Sequence, residues 1–310
     1  MPPSRFAAPP RIVVVTRPTE LSLLMARHGT REQARFHLAQ RDVRIEEIEA
    51  RHHRFEAVQA EVARAIPLSF RRTRIVRDDL ARFVFEPSDV VVAIGQDGLV
   101  ANVAKYLLEG QPVIGINPDP TQNAGVLVRH APERAEELVQ RAAEQRLAIE
   151  ARTMVEARLD DGQRLLAINE IFVGHRSHQS ARYLLSAPAG EAKREHQSSS
   201  GIVVATGTGA TGWARSIVRE RGGEHALPSP VDPWVAFFVR EAFPSPATGT
   251  SITEGRIGTG ASLSVRSEMG DGGVVFGDGI EEDRLAFGWG TGARIGVAKE
   301  RLHLVIGAAS

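Results

Sequence analysis

Val90-Val91-Val92-Ala93-Ile94 is an apolar run with no polar residue inside it. A strand with one wet face alternates. An unbroken run marks a strand covered on both faces, as in parallel sheets flanked by helices. The residues that follow support this. Val100, Val103, Ala104, Leu107 and Leu108 recur at helical spacing, and Gly110 closes the segment. Pro112-Val113-Ile114-Gly115-Ile116 is then another short strand. Strand, helix, strand with short joints is a βαβ unit, so the first half is expected to be a Rossmann-like α/β domain with a parallel sheet. Ile12-Val13-Val14-Val15, ending in Thr16 and Pro18, adds a buried strand. A long helical region is expected near Glu32 to Ile66, with Ile45, Ile48, Phe55, Val58, Val62 and Ile66 as one apolar stripe and Pro67 as its stop. Pro132 to Glu150 reads as one more helix.

Glycine divides the chain. Residues 1–200 hold 9 of the 29 glycines and residues 201–310 hold 20. After about residue 151 the helical spacing gives way to short apolar segments between Gly, Pro and Ser. Arg152–Arg158 and Arg164–Phe172 flank an Asp160-Asp161-Gly162 turn, a hairpin signal. Tyr183–Ser186, Gly201–Ala205, Val235–Val239, Ser262–Arg266, Gly273–Phe276 and Arg294–Val297 read as further strands. The expected fold class is therefore α/β plus all-β. An α/β domain spans residues 1–150 and a β-rich domain residues 151–310, with the last ~20 residues free to pack back on the first domain. A length of 310 residues suits two domains.

Composition excludes several chemistries. Lys plus Arg and Asp plus Glu are 38 each, so no net charge draws the chain to nucleic acid or anionic membranes. With no cysteine there is no disulfide, thiolate metal site or cysteine nucleophile. The three lysines, Lys105, Lys193 and Lys299, each follow alanine, so the Gly-Lys of a Walker A loop is absent. No run reaches the ~20 apolar residues of a membrane span. The N-terminus lacks the apolar core of a secretory leader, and a cytoplasmic protein is the expectation.

Three patterns could carry chemistry. Gly95-Gln96-Asp97-Gly98 lies between the carboxyl end of a buried parallel strand and a helix, where open α/β sheets bind ligands. Asp97 is either a helix N-cap or a functional carboxylate. Asn169-Glu170 ends a strand; a carboxylate beside an amide can grip the two hydroxyls of a ribose. Gly207-Thr208-Gly209-Ala210-Thr211-Gly212 follows Ile202-Val203-Val204-Ala205 and matches the dinucleotide fingerprint in letters, with Asp232 about 20 residues on. That literal reading is discounted, because Pro228, Pro230 and Pro233 surround the acid and the motif opens the β-rich half. A glycine-rich turn whose backbone a phosphate or ribose can approach is the alternative.

Taken in order, these patterns resemble the NAD kinase family. That family carries G-G-D-G after a strand, then N-E, a T-x-T-G-x-T-x-aromatic loop and a late D-G. Here these read Gly95–Gly98, Asn169-Glu170, Thr206–Trp213 and Asp278-Gly279, with Gly125-Val126-Leu127 as the intervening turn. The likeness is nearer the mitochondrial-type branch through Pro112–Pro120, Asn169–Gly174 and Ser199-Ser200-Gly201. The resemblance implies an α/β domain plus a β-sandwich, and a homodimer or homotetramer. It implies transfer of the terminal phosphoryl group of ATP to the 2′-hydroxyl of NAD's adenosine ribose, with Mg²⁺ accompanying ATP and no tightly bound cofactor. Asp97 matches the general base, with Gly95 and Gly98 beside the phosphates. Asn169 and Glu170 match the nicotinamide-side ribose contacts. Thr208, Thr211, Gly212, Trp213 and Ser216 match the adenosine site.

Three positions depart from that pattern. Gln96 replaces a glycine; were its φ positive, the cost would be about 1–2 kcal/mol. Ser200-Gly201 stands for Asp-Gly, and Ile280 follows Asp278-Gly279 where glutamine is usual. Gln96 motivates a second reading, a nucleotide-binding regulatory protein with weakened catalysis. A kinase of another alcohol, lipid or sugar, and a dehydrogenase are the others. Asp119, between Pro118 and Pro120, marks a stiff loop near the sheet's ligand edge. His175 with His178, the His52-His53 pair and Arg71–Arg74 read as surface residues.

Overall fold

In the computed structural model, residues 9–107, 110–188, 194–222 and 226–309 are described. The chain divides into two compact units, residues 1–149 with 303–310, and residues 150–302.

The first unit is α/β. Its elements are β1 (Ile12–Thr16), α1 (Glu20–His28), α2 (Arg31–Ala39), α3 (Ile45–Ala65), β2 (Arg72–Val76), β3 (Val90–Ile94), α4 (Asp97–Ala104), β4 (Pro112–Ile116) and α5 (Ala135–Ala143). The strands are parallel in the order β2-β1-β3-β4, with Val13 beside both Thr73 and Val91, and Val92 beside Ile114. His303 and Leu304 of the chain's last strand pair in parallel with Pro112 and Val113. All five side chains of β3 are buried, as the apolar run requires. Ile12, Val92, Ile94, Ile114 and Ile116 pack with Val62 of α3 and Leu138 and Val139 of α5, while α4 packs against β3 and β4.

The expected helix near Glu32 to Ile66 is two helices. Asp42 takes φ 54° between them, and Ile45 and Ile48 fold back onto Ala34 and Leu38. The single stripe thus serves two clusters, Val62 joining the sheet. The helix expected over Pro132 to Glu150 is shorter. Its α-helical part ends at Ala143, Gln145 is left-handed at φ 57°, and the chain is already extended at Leu147. Leu108, counted in the expected helix after β3, lies outside the described residues.

The second unit is β-rich. It takes β5 (Leu147–Leu159, from residue 150 onward), β6 (Arg164–Ala167), β7 (Glu170–His175), β8 (Ala181–Ser186), β9 (Arg194–Ser199), β10 (Ile202–Ala205), α6 (Trp213–Arg221), β11 (Trp234–Val239), β12 (Glu254–Gly258), β13 (Leu263–Ser267), β14 (Gly273–Gly277), β15 (Ile280–Ala286) and β16 (Gly292–Ala308, up to residue 302). One sheet is antiparallel in the order β12-β11-β10-β7-β14-β15. The other carries β16-β13-β8-β9, with β5 pairing β16 and β6.

Alternation builds the sandwich between them. Ile202 and Val204 of β10, Val173 of β7 and Phe237 of β11 meet Tyr183, Leu185, Val265 and Ile295 from the other sheet. The opposite face of β10, Val203 and Ala205, is covered by Ala214 and Ile217 of α6. The expected hairpin forms, with Val155 opposite Ala167 and Arg158 opposite Arg164. The expected strand Arg164–Phe172 is broken at Ile168-Asn169, where the chain leaves one sheet for the other.

Candidate active site

In the first unit, the order β2-β1-β3-β4 means that the chain winds one way from β1 and the other way into β3. Parallel sheets bind ligands at such a switch point, outside the carboxyl ends of the strands. A cavity of about 800 Å³ lies there. Its lining includes Gly95, Gln96 and Asp119, so the expected stiff loop does border it.

Asp97 is the first residue of α4, and it does not cap that helix. Its carboxylate turns to the loop after β4, where Oδ2 accepts the Val126 N–H at 2.9 Å and Oδ1 those of Leu127 and Val128 at 2.8 and 3.0 Å. The loop can present those amides because Gly125 is left-handed at φ 68°, and a Cβ there would lie 2.5 Å from the Val128 carbonyl. A carboxylate offers about four lone-pair positions. With three engaged, one on Oδ2 remains. The half-buried Asp97 is thus held rigidly with an acceptor site to spare.

Gln96 is exposed, with φ −104° and ψ 169°, so the left-handed backbone that would penalise a non-glycine is absent. Its Oε1 accepts from an Arg17 Nη2 at 3.0 Å and its Nε2 donates to Asn123 Oδ1 at 3.0 Å. Gly95 is buried, with Leu99 Cδ2 3.1 Å from where its Cβ would be; Gly98 is exposed and faces open space.

In the second unit, Asn169 lies in the break between β6 and β7, and Glu170 opens β7. The Asn169 and Ile168 N–H groups donate to the carboxylate of Asp278, which stands at φ 59°. The Thr206 hydroxyl donates to the Ile168 carbonyl, and the Thr206 N–H to that of Asn169. Two glycines of the following turn are fixed by backbone contact. A Cβ on Gly209 would lie 2.2 Å from the Asn169 carbonyl oxygen, and one on Gly207 1.9 Å from that of Ser229. The turn is therefore pressed onto the Asn169 corner, which brings Asn169, Glu170, Thr208 and Asp278 together.

Burial pushes the Glu170 carboxyl up to about 7, with the Asp278 charge adding to it. Near neutral pH it can donate as well as accept hydrogen bonds. Thr208 is 4% exposed, and its Oγ1 has no hydrogen-bond partner among the described residues. Thr211, Gly212 and Ser216 are exposed at the start of α6.

The dinucleotide-fingerprint reading fails on geometry. β10 is antiparallel to both its neighbours, and Asp232 accepts the Ser229 N–H at 2.9 Å within a turn. The ring of His175 bonds to Ser177, and His178 is exposed. Arg72 and Arg74 lie exposed on β2. His53 is exposed, but His52 is half-buried, borders the cavity and bonds to the Thr19 hydroxyl at 2.7 Å.

No family model matches the sequence. An NAD kinase of Methanospirillum hungatei is 30% identical over 131 residues, a match spanning 42% of this chain and 46% of that protein. The crystal structure of yeast NADH kinase complexed with NADH superposes with a TM-score of 0.63 at 15% identity, covering 100% of this chain and 88% of that one. That of an NAD kinase from Archaeoglobus fulgidus in complex with ATP gives 0.57 at 19% identity, covering 96% and 94%.

The chain is similar to an NAD kinase in sequence over those 131 residues, and to both solved kinases in fold. The fold expected from the motifs is borne out, and these similarities agree with the family likeness that the motifs carry. The NAD kinase motifs fall into two groups here. Gly95–Gly98 and the Gly125 turn meet in the first unit; Asn169-Glu170, the Thr206–Trp213 loop and Asp278 meet in the second. At the NAD kinase tyrosine position, Trp213 stacks on Phe172, with ring centroids 5.5 Å apart and planes 16° from parallel, and the Arg240 guanidinium lies 5.2 Å from its ring. Gly201, at φ 110°, lies against the same Phe172 ring.

The residues that sequence reasoning missed are Arg17 and Arg77, which border the cavity. The available signal was position. Each is the first residue past the carboxyl end of a parallel strand.

Proposed function

We propose that the protein is an NAD kinase that transfers the γ-phosphoryl group of ATP to the 2′-hydroxyl of the adenosine ribose of NAD. One observation carries this reading. Asp97, beside the switch point of a parallel sheet, is held by three backbone N–H groups and keeps an acceptor position free. The complexes of the two similar kinases with NADH and with ATP support the substrate classes.

Asp97 accepts the 2′-hydroxyl proton as the new phosphorus–oxygen bond forms and the bond to the β-phosphate bridging oxygen breaks, releasing ADP. General-base help of this kind is worth ~10²–10⁴-fold. Most of the remaining acceleration is alignment and charge neutralisation. Gly98, with open space where a side chain would be, lets phosphate oxygens approach the α4 backbone. Asn169 and Glu170 hold the nicotinamide-side ribose. Thr208, Thr211, Gly212, Trp213 and Ser216 border the adenosine, and the unpartnered Thr208 hydroxyl supports this.

Magnesium keeps most of its waters and binds through one or two carboxylates plus substrate phosphates. Asp78 and Asp119, on the cavity wall, fit such an ion carried in with ATP. It would neutralise charge on the β- and γ-phosphate oxygens.

A cytoplasmic homodimer or homotetramer belongs to the same reading, through the family resemblance. Gln96 carries no backbone strain, which supports this reading over the weakened-catalysis alternative. Purified protein with ATP, Mg²⁺ and NAD is expected to yield NADP, and Asp97→Asn to abolish turnover while NAD still binds. No NADP from NAD or NADH with any phosphoryl donor would overturn the reading.

A further inference from the structure

Two arginines of the cavity at the β1/β3 switch point have no role in the kinase mechanism proposed so far. Four arginines and three carboxylates border it, so it is cationic. Arg51 pairs with Glu20 at 2.7 Å, and Arg54 lies 3.6 Å from Asp119. Arg17 and Arg77 make no ion pair among the described residues.

Both come from strand ends. Arg17 follows β1 directly and Arg77 follows β2 directly, while Gln96 stands just past β3. Side chains leaving neighbouring parallel strands at the same end converge on one space. Arg17 is held there by an amide. Gln96 Oε1 accepts from Arg17 at 3.0 Å, and Gln96 is itself anchored on Asn123 at 3.0 Å. A carboxylate at position 96 would hold Arg17 equally well and cancel its charge. The amide aims the guanidinium and leaves the charge available.

We infer that Arg17 and Arg77 bind a linear chain of phosphates, and that Gln96 is a positioning residue that aims Arg17 into the cavity. A guanidinium matches phosphate through paired N–H donors. Pro18, Leu23 and Phe55 supply an apolar wall on the same cavity, which a base could use. The inference rests on the kinase reading only for the identity of the donor, because binding is separable from turnover.

The test is calorimetric titration of the full chain with inorganic tripolyphosphate and, separately, with a non-hydrolysable ATP analogue. Wild type is expected to bind both. Arg17→Ala and Arg77→Ala are each expected to weaken both by about tenfold. Gln96→Glu is expected to do the same, whereas Gln96→Asn retains part of the affinity. Tighter binding of the ATP analogue assigns a nucleoside triphosphate; equal binding assigns the bare phosphate chain. In turnover assays Gln96→Glu is expected to raise KM for the donor and to leave KM for NAD unchanged. Wild-type tripolyphosphate affinity in the Arg17→Ala/Arg77→Ala double variant, or no binding by wild type, overturns the inference. The two failures are distinct. Phosphate binding without NADP formation sinks the kinase reading alone, and NADP formation with unchanged donor KM in the double variant sinks this one alone.

Discussion

The Asp278 carboxylate accepts the backbone N–H of Asn169 at 2.7 Å through Oδ1, while Oδ2 takes that of Ile168 at 3.2 Å. The Asp278 N–H in turn donates to the Glu170 carbonyl at 3.0 Å. One side chain thus clamps the corner that carries both groups proposed to grip a ribose. Leaving a buried backbone donor without an acceptor costs about 1–3 kcal/mol. Asp278→Ala is expected to lower the melting temperature and to raise KM for NAD, with KM for ATP held. Asp278→Gly is expected to relieve the left-handed backbone without restoring NAD affinity. Thermal melts and steady-state kinetics check both.

Glu170 gives a pH signature. Its carboxyl, at about 7 in the fold against an ordinary value of 4.5, binds a proton more tightly folded than unfolded. The folded state therefore loses stability as pH rises from about 4.5 to about 7, and the loss is complete above that range. The full effect is roughly 3 kcal/mol as an upper bound. Glu170→Gln is expected to flatten this part of the stability curve, and chemical denaturation at pH 5 and pH 8 measures it. Asp278→Asn, which removes the neighbouring charge, is expected to move the midpoint to lower pH.

Two glycines are expected to respond oppositely to alanine. At Gly209 a methyl group would lie 2.2 Å from the Asn169 carbonyl oxygen. Overpacking of this kind costs about 1–3 kcal/mol or more, and NAD binding is expected to fall with stability. At Gly98 nothing lies within 4 Å. Gly98→Ala is expected to leave the melting temperature unchanged and to raise KM for ATP. An unchanged donor KM there would argue against phosphate approach at the start of α4.

Trp213 contributes packing. Its stack with Phe172 is worth about 0.5–1.5 kcal/mol and the Arg240 contact about 0.5–1 kcal/mol. Trp213→Ala is expected to lose both, whereas Trp213→Tyr retains the stack. Guanidinium titrations of the two variants give the difference directly.

The α/β unit was legible where burial is complete. Val90–Ile94 has no polar position because neither face meets water, and that alone placed the Gly95–Gly98 loop at a ligand-binding edge. The strands left unassigned are β2, β9, β12 and β15. Each is an edge strand, written Arg72–Val76, Arg194–Ser199, Glu254–Gly258 and Ile280–Ala286, and an edge needs few apolar residues. The break between α2 and α3 was hidden because Asp42 can enter the left-handed region without being glycine. Among the candidate site residues of the two units, the motif letters named Asp97, Asn169 and Glu170. They could not reveal that the Asp97 carboxylate grips residues 126–128, since that bond depends on how the loop after β4 folds back. The role of Asp278 was equally hidden, lying more than a hundred residues from its partners.

Gln96 has the backbone angles of any extended residue. A one-codon change there can exchange its side chain without refolding the loop. Under the phosphate-binding role proposed for Gln96, donor preference is thus open to drift and selection at a position where a glycine-only backbone would have frozen it.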